Sequence, residues 1–273
     1  FFTIQRFLRD LHRQLFLPKV IGITIVSSMA IILLISLYTG LKTSRNWRTL
    51  MTRIRFSKGA RTAVGDAHKA AGLWSIWFFI LMFVSGLWYY AEFLGANVEP
   101  SLPAAVRSGT AYTGDVIVDP PVADIMRVAK TAYPELDIKA ISFGFRGNRV
   151  IMVSGSAGNP IVRNRANAVF IDPVTLDALH VTRSADLETV HWLNQIVDPL
   201  HFGSFGGLPI KLIWFVFGVF MTGLSVSGVW LTWRRLKSRG ASWAQLVTLP
   251  VIVISLLFGS FSFTASTLST FAG

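Results

Sequence analysis

Apolar and polar positions separate into long blocks along this chain. Uncharged apolar runs occupy Val20 to Leu41, Ala70 to Ala91, Leu212 to Trp233 and Ala241 to the C-terminus. Each reaches the ~20 residues that a helix needs to cross ~30 Å of hydrocarbon, so four spanning helices are predicted. Between the second and third runs the pattern changes. In VADIMRVAKTAYPELD the apolar Ile125, Val128, Ala129 and Ala132 recur at helical spacing, and Pro134 ends the segment. IKAISFGFRGNRVIMVSG then reads as two strands about a turn at Arg146 to Asn148, and NAVFIDPVTLDAL as a strand, a Pro-containing turn and the start of another strand. Residues 97–121 are rich in Pro, Gly and Ser and read as loop. The expected fold is an α-helical integral membrane protein with four transmembrane helices and a small external α+β domain between helices 2 and 3. Its divisions are 1–96 for the first two helices with a basic loop at 42–69, 97–190 for the α+β domain, and 191–273 for the last two helices.

Composition agrees with a membrane protein. The 273 residues are 52% hydrophobic and 15% charged, and the mean hydropathy is +0.52, far from a soluble domain. The formal net charge of +12 is unevenly placed. Lys42 to Lys69 holds eight Lys/Arg and one Asp, and Arg234 to Arg239 adds four Lys/Arg and no acid, whereas Glu92 to Leu208 has nine Lys/Arg and twelve Asp/Glu. Basic residues flanking helix ends mark cytoplasmic loops, so the mildly acidic segment lies on the other side. Membrane anchoring accounts for the charge, and nucleic acid is not an expected partner. With no cysteine, disulfides, thiolate metal sites, iron–sulfur ligation and covalent c-type heme are excluded for this chain. The start, FFTIQRFLRDLHR, has neither Met nor a signal-peptide pattern, which favours a further helix upstream.

Three of the five histidines introduce apolar runs: His12 in RDLHRQLFLP, His68 in GDAHKAAGLW and His201 in DPLHFGSFGGLP. His12 lies 28 residues before Gly40 and His201 lies 27 before Gly228, in two helices of the same direction. At ~1.5 Å per residue both imidazoles reach a matching depth near the external surface. Two imidazoles from facing helices are a standard way to hold a b-type heme, with apolar walls sheltering the macrocycle. Gly203, Gly206 and Gly207 after His201, and Gly22 in the first helix, would let a porphyrin approach the backbone. Arg9 and Arg13 flank His12, as partners for heme propionates or for lipid headgroups. His191, ten residues before His201, is the competing external ligand, and His180 reads as a solvated residue. By analogy His68 would ligate a second heme near the inner surface, with a partner from a missing helix or another subunit, or with none. Asp66 either orients the His68 ring or caps the helix. The Trp residues near helix ends, Trp74 and Trp214 among them, read as an aromatic belt.

A helix, two strands and a hydrophobic strand ending in Asp-Pro-x-Thr resemble the PepSY domain. The flanking Leu-His-Arg, Asp-x-x-His-Lys and Pro-Leu-His-Phe-Gly segments resemble the PepSY-associated transmembrane family. That resemblance implies a multi-pass protein of the bacterial inner membrane, like the iron-regulated, heme-containing ferric-siderophore reductases. Leu176 stands where the domain commonly has Gly, which implies an altered turn, and the further N-terminal helix usual in the family is absent from this sequence.

Two functions remain open. One is transmembrane electron transfer through one or two b-type hemes, ligated by His12 and His201 with His68 or His191, in which electrons from the cytoplasmic side or quinol pass outward. By resemblance the acceptor would be a periplasmic ferric siderophore, making the protein a heme-dependent ferric-chelate reductase served by a separate electron donor. The other is a cofactor-free scaffold or accessory subunit of a larger membrane complex, contacting lipid and other membrane subunits. A transporter finds no support, since no charged residue lies within the four apolar cores.

Overall fold

A computed structural model describes residues 3–44, 46–96, 98–108, 121–146 and 148–240. Contacts divide the chain into two compact units, 1–94 with 207–273, and 95–206.

The first unit is helical. Helix α1 (Ile4–Gln14) opens with Thr3, whose Oγ accepts the Arg6 N–H at 3.2 Å. It buries Leu8 and Leu11 and exposes Arg6, Arg9 and Arg13, the two-faced pattern of a helix lying along an apolar surface. The chain then turns. Leu15 and Phe16 have φ of 53° and 57°, and Pro18 caps α2 (Lys19–Thr43). The expected single first helix is therefore two helices. A short α3 (Trp47–Thr52) leads to α4 (Ala60–Trp74) and α5 (Ile76–Phe93). Ser75 separates α4 from α5, yet the hydrogen-bond ladder continues across it: the Ser75 N–H donates to the Ala71 carbonyl at 3.0 Å and the Phe79 N–H to the Ser75 carbonyl at 2.9 Å.

In the second unit, α6 (Ala104–Ser108) and α7 (Val122–Ala132) accompany an antiparallel meander of β1 (Asp137–Phe145), β2 (Asn148–Ser156), β3 (Ala168–Ile171) and β4 (Ala178–Thr182) in spatial order β1-β2-β3-β4. Period-two alternation gives both sheet faces a core. Ile151, Val153, Val169 and Ile171 pack with Ile125, Ala129, Tyr133 and Leu136, while Val150, Met152, Ala168 and Phe170 pack with Val106 of α6. The helix, hairpin and strand–turn–strand expected from the sequence are present. Residues 104–108, expected as loop, are helical. In the turn between β3 and β4, Leu176 takes the left-handed conformation, at φ 59°, and packs on the core. Asp172 organises this turn, its carboxylate accepting the Val174 N–H at 2.8 Å and the Thr175 N–H at 3.2 Å. After the sheet comes α8 (Thr189–Phe202), and the first unit resumes with α9 (Gly207–Ser238).

Among the described residues three segments are long and apolar enough to cross a membrane: Lys19–Thr43, Ile76–Phe93 and Ser204–Ser238. The fourth predicted span, from Ala241 onward, lies outside the described residues. Trp214, expected in an interfacial belt, is 5% exposed and lies between α5 and α9, 5.6 Å from Trp77 and 5.7 Å from Phe78 by ring centroids. Packing against aromatic neighbours replaces the headgroup contact there.

One polar residue ties the second unit's helix and strands together. Asn167 is 1% exposed, and its side-chain carbonyl accepts the Ser184 N–H at 2.9 Å and the Tyr133 hydroxyl at 3.4 Å. Asn167→Ala strands that buried N–H and is expected to destabilise the protein by about 1–3 kcal/mol, read as a lowered unfolding midpoint of the full chain in detergent.

Candidate functional site

The most defined histidine environment is the seam between α4 and α9, both in the helical unit. Gly65, His68 and Gly72 lie along one face of α4. Their counterparts on α9 are Leu231, Gly228 with Ser227, and Leu224: an added Cβ at Gly65 would lie 4.0 Å from Leu231, at Gly72 3.7 Å from Leu224, and at Gly228 3.4 Å from His68 Cε1. Small residues on one helix facing leucines on the other let two backbones approach closely. Nδ1 of His68 lies 2.7 Å from Ser227 Oγ, and Ser227 Oγ donates to the Gly223 carbonyl at 2.6 Å. Nε2 has no partner among the described residues. His68 is half-buried, so this ring is held by the helix pair.

Asp66 neither orients His68 nor caps the helix. It is about two turns inside α4, whose N-cap is Gly59, and 4% exposed. Its carboxylate accepts the Arg55 Nε–H at 2.8 Å, an Arg55 NH2 hydrogen at 2.9 Å and the Arg55 backbone N–H at 3.1 Å. These bonds from Arg55 pull the Asp66 carboxyl down to about 2, against an ordinary 3.8. The one acid of the basic segment thereby fastens its loop to α4.

His12 is half-buried on α1, beside the exposed Arg9 and Arg13. Arg9 Nε lies 3.4 Å from Asp10 Oδ1, so its guanidinium already has a carboxylate neighbour. Helix α1 lies hard against α2 at Gly22, where an added Cβ would collide with the Gln14 backbone carbonyl. That close approach is what the glycine permits, two residues from His12.

His201 and His191 are both on α8, in the second unit. His201 is 7% exposed, with its ring centroid 5.1 Å from that of Phe202. His191 is half-buried, and its Nδ1 lies 4.0 Å from a Glu188 carboxylate oxygen. Ten residues of helix separate the two by about 15 Å along the axis, so they occupy different levels. Pro199 explains how the end of α8 is held. Proline has no N–H to give the Gln195 carbonyl. The Arg163 N–H takes that carbonyl at 3.0 Å, and the Arg163 guanidinium grips Asp198 at 2.7 Å. Glu99 joins this clasp through the Arg163 guanidinium at 3.8 Å, and also pairs with Arg146 and Arg165, each at 2.7 Å. Gly203, at φ 64°, then ends the helix.

The ruler that matched the depths of His12 and His201 thus runs through two breaks, at Leu15 to Pro18 and at Gly203 to Gly206. His180 is on β4, half-buried near Phe170. Among the described residues no group of three or more His, Asp or Glu can enclose a metal ion. Sequence reasoning missed Ser227 and Arg163. A serine one turn from Gly223 inside an apolar run was the visible signal for the first, and a proline inside a helix, with its freed carbonyl, for the second.

These features define a multi-span helical membrane protein with a compact sheet-bearing unit, with His12 and His201 set beside helix breaks and His68 at a helix seam, and its spans in contact with lipid. The chain belongs to the family of the PepSY-associated TM region, whose pattern matches residues 2–235. No curated protein matches it.

Three outcomes are expected. Gly22→Val forces α1 off α2 and accelerates tryptic cleavage after Arg13, read on gels of detergent-solubilised protein. Asp66→Asn frees the Arg55 loop and accelerates cleavage after Arg53, Arg55 and Lys58. Because the folded carboxyl titrates below its ordinary value, the native clasp persists unchanged down to about pH 4. It is lost as pH falls further toward 2, seen as faster amide exchange at Arg55.

Proposed function

We propose that this protein carries electrons across a bacterial inner membrane through b-type heme and delivers them to a periplasmic ferric siderophore or similar ferric chelate. The observation that carries the reading is His68, an imidazole clamped at a close helix seam by a serine hydroxyl, with Nε2 left without a partner among the described residues. Solvated surface histidines have no need of such a clamp, whereas metal-ligating ones are regularly held this way. The donor set fits heme iron: imidazoles at apolar helices and no thiols.

When bound, heme supplies a one-electron ferric/ferrous couple. The chain's residues do the rest. His12 and His201 are the proposed ligands of an outer heme and His68 of an inner one, while His191, set at a different level of α8, is the reserve ligand. The half-buried His12 and the buried His201 sit where water is partly excluded. Arg13, exposed beside His12, is the better placed of the two arginines to meet a propionate, since Arg9 already has Asp10. The Pro199 and Arg163 clasp fixes the end of α8 that bears His201. On the acceptor side, one electron per iron converts ferric to ferrous, which hard oxygen donors hold less strongly. The sheet-bearing unit would form the docking surface, the basic loop would face the cytoplasm, and a separate donor or membrane quinol would supply electrons.

The test is a reduced-minus-oxidised spectrum with pyridine-hemochrome quantitation on purified protein, wild type and the His→Ala variants at 12, 68, 191 and 201. One or two b-type hemes per chain are expected, with His12→Ala and His201→Ala each losing the same one. Full retention by both variants transfers the outer site to His191. Folded wild-type protein without heme overturns the reading in favour of a cofactor-free scaffold or accessory subunit.

A further inference from the structure

We propose that Ser227 is a positioning residue that fixes the protonation of His68, holding the imidazole as its Nδ1–H tautomer and leaving the Nε2 lone pair free to bind iron. The inference rests on the reading of His68 as a heme ligand, and its first half stands without it.

The argument is a count of hydrogens. A serine hydroxyl has one hydrogen and lone pairs, and a backbone carbonyl has only lone pairs. Ser227 Oγ and the Gly223 carbonyl oxygen are 2.6 Å apart. Two oxygens at that distance without a hydrogen between them repel, so the hydroxyl hydrogen points at Gly223, with the Leu224 carbonyl at 3.3 Å taking a lesser share. This is the ordinary back-bond of a serine within a helix. Oγ therefore has only lone pairs to offer His68, and the 2.7 Å contact with Nδ1 is a hydrogen bond because Nδ1 supplies the hydrogen. A neutral imidazole has a single N–H, so Nε2 carries the lone pair. Among the described residues no carboxylate contacts the ring to favour a second proton: Asp66, on the same helix, is engaged by Arg55. Gly228 completes the arrangement, since a side chain there would compete with Cε1 for space.

The Ser227 oxygen is then to His68 what a carbonyl or carboxylate is to other metal-binding histidines: it orients the ring, selects the ligating nitrogen and makes that nitrogen more basic. A more basic ligand favours ferric iron and lowers the potential of the couple.

The experiment uses the full chain in detergent as wild type, Ser227→Ala, Ser227→Thr and His68→Ala, with heme titration and a redox titration followed by absorbance. Ser227→Ala is expected to weaken binding of the heme that His68→Ala removes by about 10–100-fold and to raise its midpoint potential. Ser227→Thr, which keeps a hydroxyl able to bond back to Gly223, restores both. If His68→Ala loses heme while Ser227→Ala matches wild type in affinity and potential, the proposal is overturned. The heme reading of His68 fails separately, as a wild type without heme or a His68→Ala variant with full heme. Nitrogen-15 spectra of histidine-labelled protein without heme then decide Ser227 alone, the His68 signals being those missing from His68→Ala. A protonated Nδ1 that becomes mixed in Ser227→Ala supports the assignment, and a protonated Nε2 in wild type overturns it.

Discussion

Hydrocarbon offers no hydrogen bonds, and that constraint governs the helical unit. Each backbone amide left unsatisfied in lipid costs several kcal/mol. The segments Lys19–Thr43, Ile76–Phe93 and Ser204–Ser238 therefore satisfy their amides internally, and serine and threonine hydroxyls within them do likewise. Ser28 bonds to Ile25, Thr39 to Ile35, Ser85 to Leu81, Thr222 to Gly218 and Ser225 to Met221, each through the preceding turn's carbonyl. Ser227 obeys the same rule toward Gly223. It differs in having an imidazole against its remaining lone pairs, so the habit that makes a hydroxyl tolerable in lipid also makes it an acceptor-only group toward His68.

The same accounting explains where helices are allowed to stop. Leu15 and Phe16 leave the helical region only where α1 has given way to a turn, with the Leu15 N–H returned to Leu11 and the Leu17 N–H to Gln14. Pro199 removes a donor inside α8, and the orphaned Gln195 carbonyl recovers one from Arg163. Breaks are thus bought with specific partners, and histidines accompany them: His12 lies just before one, and His201 between Pro199 and the terminating Gly203.

How much of this could be read in advance follows from the range of each signal. The apolar runs, the α7 face and the β1–β2 hairpin depend on neighbours within a few residues and were legible. The break after α1 was not, because Leu15 and Phe16 have no local preference for positive φ; Pro18 was the visible sign. The left-handed conformation of Leu176 was hidden for a related reason, since Asp172 and the core contact hold a leucine where glycine is easier. The His68–Ser227 pair spans 159 positions, and spacing along one helix carries no information about which residue of another will face it. Candidate ligands could therefore be named from the sequence, but not the groups that hold them.

Charge pairing shows the same limit and has a consequence for the membrane surface. From Lys42 to Lys69 the sequence shows one acid among eight bases, which is compatible with Asp66 serving any of them. The structure gives it to Arg55, through both the side chain and the backbone. That choice leaves Arg48, Arg53, Lys58, Arg61 and Lys69 without a carboxylate partner among the described residues, beside the exposed Trp47 and Phe56. Pairing with Arg55 orders the loop through a backbone amide as well as the guanidinium. A basic segment between spans is thus more than a count of bases: the position of its single acid decides which base becomes structural.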